Sequence, residues 1–155
     1  VFVSPTRGEL TLEALVSDIV GYVRTEKSAE YRLLIGTDSH TKQGTHMVTA
    51  IIIQRVGKGA RYFYRHSHHL SMRSLRQKLF YETSLSLDVV FALRDKLAKN
   101  FLVGLKMEIH VDAGYVGPTR DLIREVVGMV VANGLVAKVK PNSFAASAVA
   151  DRFTK

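Results

Sequence analysis

The chain has 155 residues, 46% of them hydrophobic, which suits one domain able to bury a core of its own. It carries 22 Lys and Arg against 14 Asp and Glu, a formal charge of +8, so an anionic partner is expected. With no cysteine, disulfides, thiolate catalysis and Cys-based zinc centres are excluded. No apolar run approaches the ~20 residues that cross a bilayer and no leader-like segment is seen, so a cytoplasmic, non-membrane protein is expected.

Thr11 is placed to cap a helix over about 11–24, whose apolar residues Leu12, Leu15, Val16, Ile19, Val20 and Val23 recur every three or four positions. After the polar "TEKSAE", the stretch "YRLLIGTDS" (31–39) has the continuous apolar run of a strand in a buried sheet. "THMVTAIIIQRV" (45–56) is rich in β-branched residues and predicts a second strand. "GKG" (57–59) is a tight connection to "ARYFYRHSHHL" (60–70), a third strand by alternation. Three strands so closely connected predict an antiparallel meander.

The period then changes. From Ser71 to about Asn100, Leu75, Leu79, Leu85, Val89, Leu93 and Leu97 trace a long helix. "LKMEIHVDAG" (105–114) predicts a fourth strand. "GPTRDLIREVVGMVVANG" (117–134) predicts a helix with Pro118 near its first turn and "NG" at its end. "LVAKVKP" (135–141) predicts a fifth strand stopped by Pro141, and "SFAASAVADRF" (143–153) a short helix capped by Ser143. Hairpins first and helical crossovers later predict one α/β domain with a mixed sheet, antiparallel on one side and parallel on the other.

Two strands of similar character end in an acid. Asp38 follows "LLIGT" and Asp112 follows "EIHV". Carboxyl ends of neighbouring parallel strands are where open α/β sheets build sites, although either Asp alone also suits a loop or an Asx turn. Glu82 falls on the sheet-facing stripe of the long helix, with Leu75, Leu79, Ser86 and Val89. An unpaired carboxylate is disfavoured there unless the edge of the stripe is wet. Asp151 falls on the inward face of the last helix, or else is a solvated terminal acid. Four acids converge only if a cation neutralises them, and all-oxygen ligation points to Mg²⁺ or Mn²⁺. The remaining surface would then hold 10 acids against 22 bases. An acidic metal pocket on a basic surface suits phosphodiester chemistry with two ions about 3.5–4 Å apart.

The order of elements, with acids in "GTDSH", "YETS", "HVDAG" and "VADRF", resembles the ribonuclease H-like nuclease fold, and more narrowly the bacterial YkuK family of ribonuclease H-like proteins. "YRLLIGTDSH", "IIIQRVGKGA", "YETSLSLDVV" and "KVKPNSFAASAVADRFTK" carry the likeness, which spans nearly the whole chain. The resemblance implies a five-stranded mixed sheet ordered 3-2-1-4-5, flanked by helices with an extra N-terminal helix, and a core over about 31–155. It also implies a two-metal site of Asp38, Glu82, Asp112 and Asp151 and hydrolysis of nucleic acid.

Other residues bear on substrate. His40 shares the face of Asp38 on an extended chain and is placed to contact a phosphate, or is simply a loop histidine. Lys140 lies at the sheet edge of Asp112, and Arg120 falls in the first turn of the helix over 117–134, where a cation is not favoured by the helix dipole. Both are substrate-binding candidates. In "HSHH" (66–69), alternation puts His66 and His68 on one face and His69 on the other, and a wet strand end is favoured over a zinc site. The leading expectation is a metal-dependent nuclease acting on RNA, DNA or their hybrid. The alternatives are a nucleic-acid-binding module of the same fold, or a nucleotide-binding domain using "DAGYVGPTR" (112–120), which lacks the G-x-G-x-x-G and G-K-[ST] patterns.

Overall fold

The computed structural model describes residues 1–41, 44–69, 71–72, 74–100, 102, 104–115, 117 and 120–145. In chain order these form β1 (Phe2–Ser4), β2 (Gly8–Leu10), α1 (Leu12–Thr25), β3 (Tyr31–Thr41), β4 (Thr45–Arg55), β5 (Ala60–His69), α2 (Leu75–Lys99), β6 (Lys106–His110), α3 (Arg120–Ala132) and β7 (Val136–Lys138). The sheet order is β2-β1-β5-β4-β3-β6-β7. Its inner five strands, β5-β4-β3-β6-β7, keep the expected order, antiparallel among β3, β4 and β5 and parallel from β3 through β6 to β7.

The sheet has seven strands where five were expected. The two additions come from residues 1–10, which carry too few residues to show a period. β1 and β2 pair through three register positions, with Gly8 at φ 75° opening the return, and Val3 pairs with Tyr64 to extend the sheet beyond β5. Asp18 of α1 is buried and is held by Arg61 of β5, with Arg7 at 3.9 Å, which ties the added hairpin to the helix beside it.

β4 lies at the centre, and Met47 through Ile53 are all buried, as a strand covered on both faces requires. One face presents Leu33, Ile35, Ile51, Ile53, Phe63 and Ile109 to the main core. Leu15 and Ile19 of α1, Leu93 and Leu97 of α2, and Ile123, Val126 and Val130 of α3 pack there. The opposite face holds a smaller cluster of Leu34, Ala50, Ile52 and Ala145, with Tyr62 and Tyr64 against it. α1 is capped by Thr11, whose hydroxyl accepts from the Ala14 N–H at 3.1 Å, and α2 by Ser74, which accepts from Gln77 N–H at 3.0 Å.

Several expected boundaries shift. Leu75, expected on the sheet-facing stripe, is 45% exposed because it is the first residue of α2 and precedes the packed turns. The fourth and fifth expected strands shorten to five and three residues, since parallel pairing stops at His110↔Lys138. Of the last expected helix, residues 146–153 lie outside the described residues, and so do Pro118 and the Asp151 candidate. No helix among the described residues is long and apolar enough to cross a membrane.

Candidate functional site

Strand register brings the first two acids together. β3 and β6 pair in parallel up to Gly36↔His110, and Asp38 and Asp112 each lie two residues beyond that pair. Asp38, expected at the carboxyl end of a strand over 31–39, has three more strand residues after it. β3 continues to Thr41 because β4 goes on pairing with it, and Asp38 faces Val48 across that ladder. The carboxylate is therefore carried on rigid backbone where the parallel neighbour departs. Ser39 N–H donates to Asp38 Oδ1 at 2.9 Å. Burial and the adjacent Asp112 carboxylate push Asp38 above the usual carboxylate range, against the Ser39 N–H.

The third acid comes from α2. Leu79, Glu82 and Ser86 are all buried against the sheet at helical spacing. Ser86 Oγ and Thr37 Oγ1 are 2.8 Å apart, and Thr37 Oγ1 is 3.1 Å from Thr49 Oγ1, a buried chain of hydroxyls that pins α2 to β3 and β4. One turn earlier, Glu82 Oε2 accepts from Ser39 Oγ at 2.8 Å. Burial, with repulsion from Asp38 and Asp112, pushes Glu82 up to about 7, against the opposing pull of the Ser39 hydroxyl and Lys78.

Lys140 reaches Asp112 directly, with Nζ 3.1 Å from Oδ1. Its position follows from backbone pairing past the end of β7, where Val111 N–H donates to Lys138 O at 2.8 Å and Lys140 N–H to Ala113 O at 2.9 Å. Gly114 permits this approach, since a Cβ there would stand 3.3 Å from Lys140 Cβ. His40 Nε2 lies 3.9 Å from Asp38 Oδ2, on an exposed side chain. Arg120 is exposed at the first residue of α3, lines a cleft with Tyr115, Asp121 and Arg124, and makes no ion pair among the described residues. The structure thus gathers Asp38, Glu82, Asp112, Lys140 and His40, and leaves Arg120 apart from their contacts.

Two participants were missed in the sequence. Ser39 connects Asp38 to Glu82, and only the facing of β3 toward α2 reveals it. His110 is buried, and its Nδ1 lies 3.1 Å from Phe144 N and 3.3 Å from Ala145 N, accepting from both, while Nε2 faces Glu108 Oε1 at 3.3 Å. Burial holds His110 below the ordinary histidine range, opposed by Glu108, so the neutral ring accepts at one nitrogen and donates at the other. It thereby fixes the start of the segment that follows Ser143. The signal was the alternation of Glu108, His110 and Asp112 in "MEIHVD", which places three polar groups on one side of β6 and its continuation.

The donor set at the site is carboxylate and hydroxyl oxygen, the chemistry of a hard divalent cation, and mutual repulsion of the acids is what such a cation relieves. Asp38, Asp112 and Glu82 fit that role in kind. Among the described residues no three His, Asp or Glu side chains converge tightly enough to hold an ion between them.

The family described as ribonuclease H-like matches residues 14–155. The chain is also 31% identical over 166 residues to the uncharacterized protein YkuK of Bacillus subtilis (strain 168), covering 99% of this chain and 96% of that protein. No solved structure gives a significant match. With the strand order, the acids at its centre and a match over nearly its whole length, the chain belongs to the ribonuclease H-like family, alongside the YkuK protein.

Proposed function

We propose that this protein is a divalent-metal-dependent nuclease that hydrolyses phosphodiester bonds in RNA or DNA. The observation that carries the reading is the meeting of Asp38, Asp112 and Glu82 from three separate elements, close enough to raise the pKa of Asp38 and Glu82, in a chain of charge +8. Asp38 and Asp112 are the residues to hold Mg²⁺ or Mn²⁺, with Glu82 and Asp151 completing the set. The ions, when bound, supply Lewis acidity toward the phosphate and lower the pKa of water. Ser39 orients Glu82, and Lys140, whose exposed side chain reaches Asp112, would meet a phosphate oxygen at the same place. His40, beside Asp38 and exposed, is placed to contact the same strand.

The test is a cleavage panel of RNA, DNA, hybrid duplex and junction substrates with Mn²⁺ and with Mg²⁺, run beside Asp38→Asn and Asp112→Asn. Metal-dependent cleavage by the native chain, lost in both variants, supports the reading. Equal cleavage by native and variant protein places the activity elsewhere and refutes the site.

A second reading is a nucleic-acid-binding domain of the same fold that does not cut. The hold of Lys140 on Asp112 favours it, because an internal cation already partners one of the carboxylates. Such a protein binds nucleic acid equally with and without divalent metal, and the same panel with a filter-binding arm separates the two.

A further inference from the structure

On the face of the sheet opposite the main core, in the row next to Asp38, histidines gather from three adjacent strands. Register sets His40 of β3 opposite His46 of β4, and His46 opposite His68 of β5, while His66 lies diagonally from His46, opposite Val48. His46 Nε2 is 2.7 Å from His66 Nδ1, and His46 Nδ1 is 3.2 Å from His68 Nε2. His66 and His68 are exposed and His46 is half-buried, so the rings are open to solvent and build no core.

We propose that His46 and His66 form a cross-strand chelate for a divalent transition-metal ion of the zinc, nickel or copper kind, distinct from the carboxylate site. Two imidazole nitrogens on one ion at about 2.0–2.1 Å stand about 2.9 Å apart at a right angle and about 3.4 Å apart in a tetrahedron. The His46–His66 pair, at 2.7 Å, is about 0.2 Å short of the right-angle spacing and about 0.7 Å short of the tetrahedral one, so modest side-chain rotation admits the ion. His68 orients the site. Its ring packs edge-on against His46, with His46 Nδ1 3.2 Å from Nε2 and 3.4 Å from Nδ1, and with Nδ1 carrying the proton the Nε2 lone pair of His46 is turned toward His66. Burial and the neighbouring imidazoles hold His46 and His66 below the ordinary histidine range, so both lone pairs are available at neutral pH. No third protein ligand converges among the described residues, so water completes the coordination. Imidazole donors select against Mg²⁺, whereas the carboxylates favour it, and the two sites take different ions.

The experiment titrates the full chain, stripped with EDTA, dialysed and held in excess Mg²⁺, with ZnCl₂ and with NiCl₂ by calorimetry. A single saturable site is expected, weakened at least about tenfold in His46→Asn and in His66→Asn, less in His68→Asn, and unchanged in Asp38→Asn. His66 is exposed, so His66→Asn decides the matter should His46→Asn fail to fold. Absence of saturable binding overturns the proposal. So does binding that survives His66→Asn, or that is lost in Asp38→Asn, which would seat the ion at the carboxylates.

Discussion

Glu82→Gln in EDTA tests the electrostatics of the site without any substrate. Glu82 is only 9% exposed, and its carboxyl is displaced from 4.5 to about 7. The native protein therefore keeps a proton that the unfolded chain releases between these values. Stability is whole below about pH 4.5, falls as pH rises to about 7, and is level beyond. At about 1.4 kcal/mol per pH unit, the loss is about 3 kcal/mol. Gln retains an oxygen to accept from the Ser39 hydroxyl but carries no charge, so the variant escapes the loss. Urea denaturation is expected to find the two chains nearly equal near about pH 4 and the variant more stable by about 3 kcal/mol near about pH 8. Comparing the two chains cancels His46, His66 and His110, whose depressed values act in the opposite sense, adding stability as pH rises toward about 6.5. A gap of equal size at both pH values, or a variant less stable at the higher one, refutes the reasoning. Added Mg²⁺ should narrow the gap at the higher pH, because a bound cation favours the ionised Glu82 of the native chain alone.

Thr37→Val removes the middle hydroxyl of the Ser86–Thr37–Thr49 chain and leaves buried Ser86 without its partner, so a loss of about 1–3 kcal/mol is expected in thermal or urea unfolding. A loss indistinguishable from zero would mean that the chain does not pin α2. His110→Ala strips two backbone N–H groups and the buried Glu108 carboxylate of their partner, leaving Glu108 with Arg32 at 4.0 Å. It should cost about 2–4 kcal/mol and speed amide exchange at Phe144 and Ala145 more than in β4. Uniform acceleration would instead signal a general loss of stability. Lys140→Ala, on the proposed function, should weaken nucleic-acid binding and lower the slope of log affinity against log salt by about 0.7–0.9. An unchanged slope would assign Lys140 to Asp112 alone.

Local pattern carried much of the fold. The spacing of Leu15, Val16, Ile19 and Val20 announced α1, the β-branched residues of 45–56 announced β4, and the change of period after Ser71 announced α2. The residue at the start of α2 was misread because a period marks a stripe and not where packing begins. β1 and β2 were invisible because three residues define no alternation, and their pairing depends on an edge of β5 far along the chain. The first core strand was ended at Ser39 because the apolar run gives way to polar residues, whereas pairing with β4 keeps it extended to Thr41. The acids stood out because a carboxylate beside an apolar run is costly. Ser39 and His110 carried no such mark, since a hydroxyl or an imidazole is tolerated in many settings.

From the sequence alone came the types and order of the elements from α1 to β7, the basic charge and the positions of the conspicuous acids, all consequences of near-neighbour preference and composition. Tertiary structure alone decided that Asp38 and Asp112 stand side by side two residues beyond a parallel pair, and that Glu82 is driven toward neutrality. It also decided that Lys140 reaches Asp112 and that three imidazoles meet across β4 and β5. Register, desolvation and charge repulsion act between residues distant in sequence, so they exist only once the sheet has formed and the helices have packed on it.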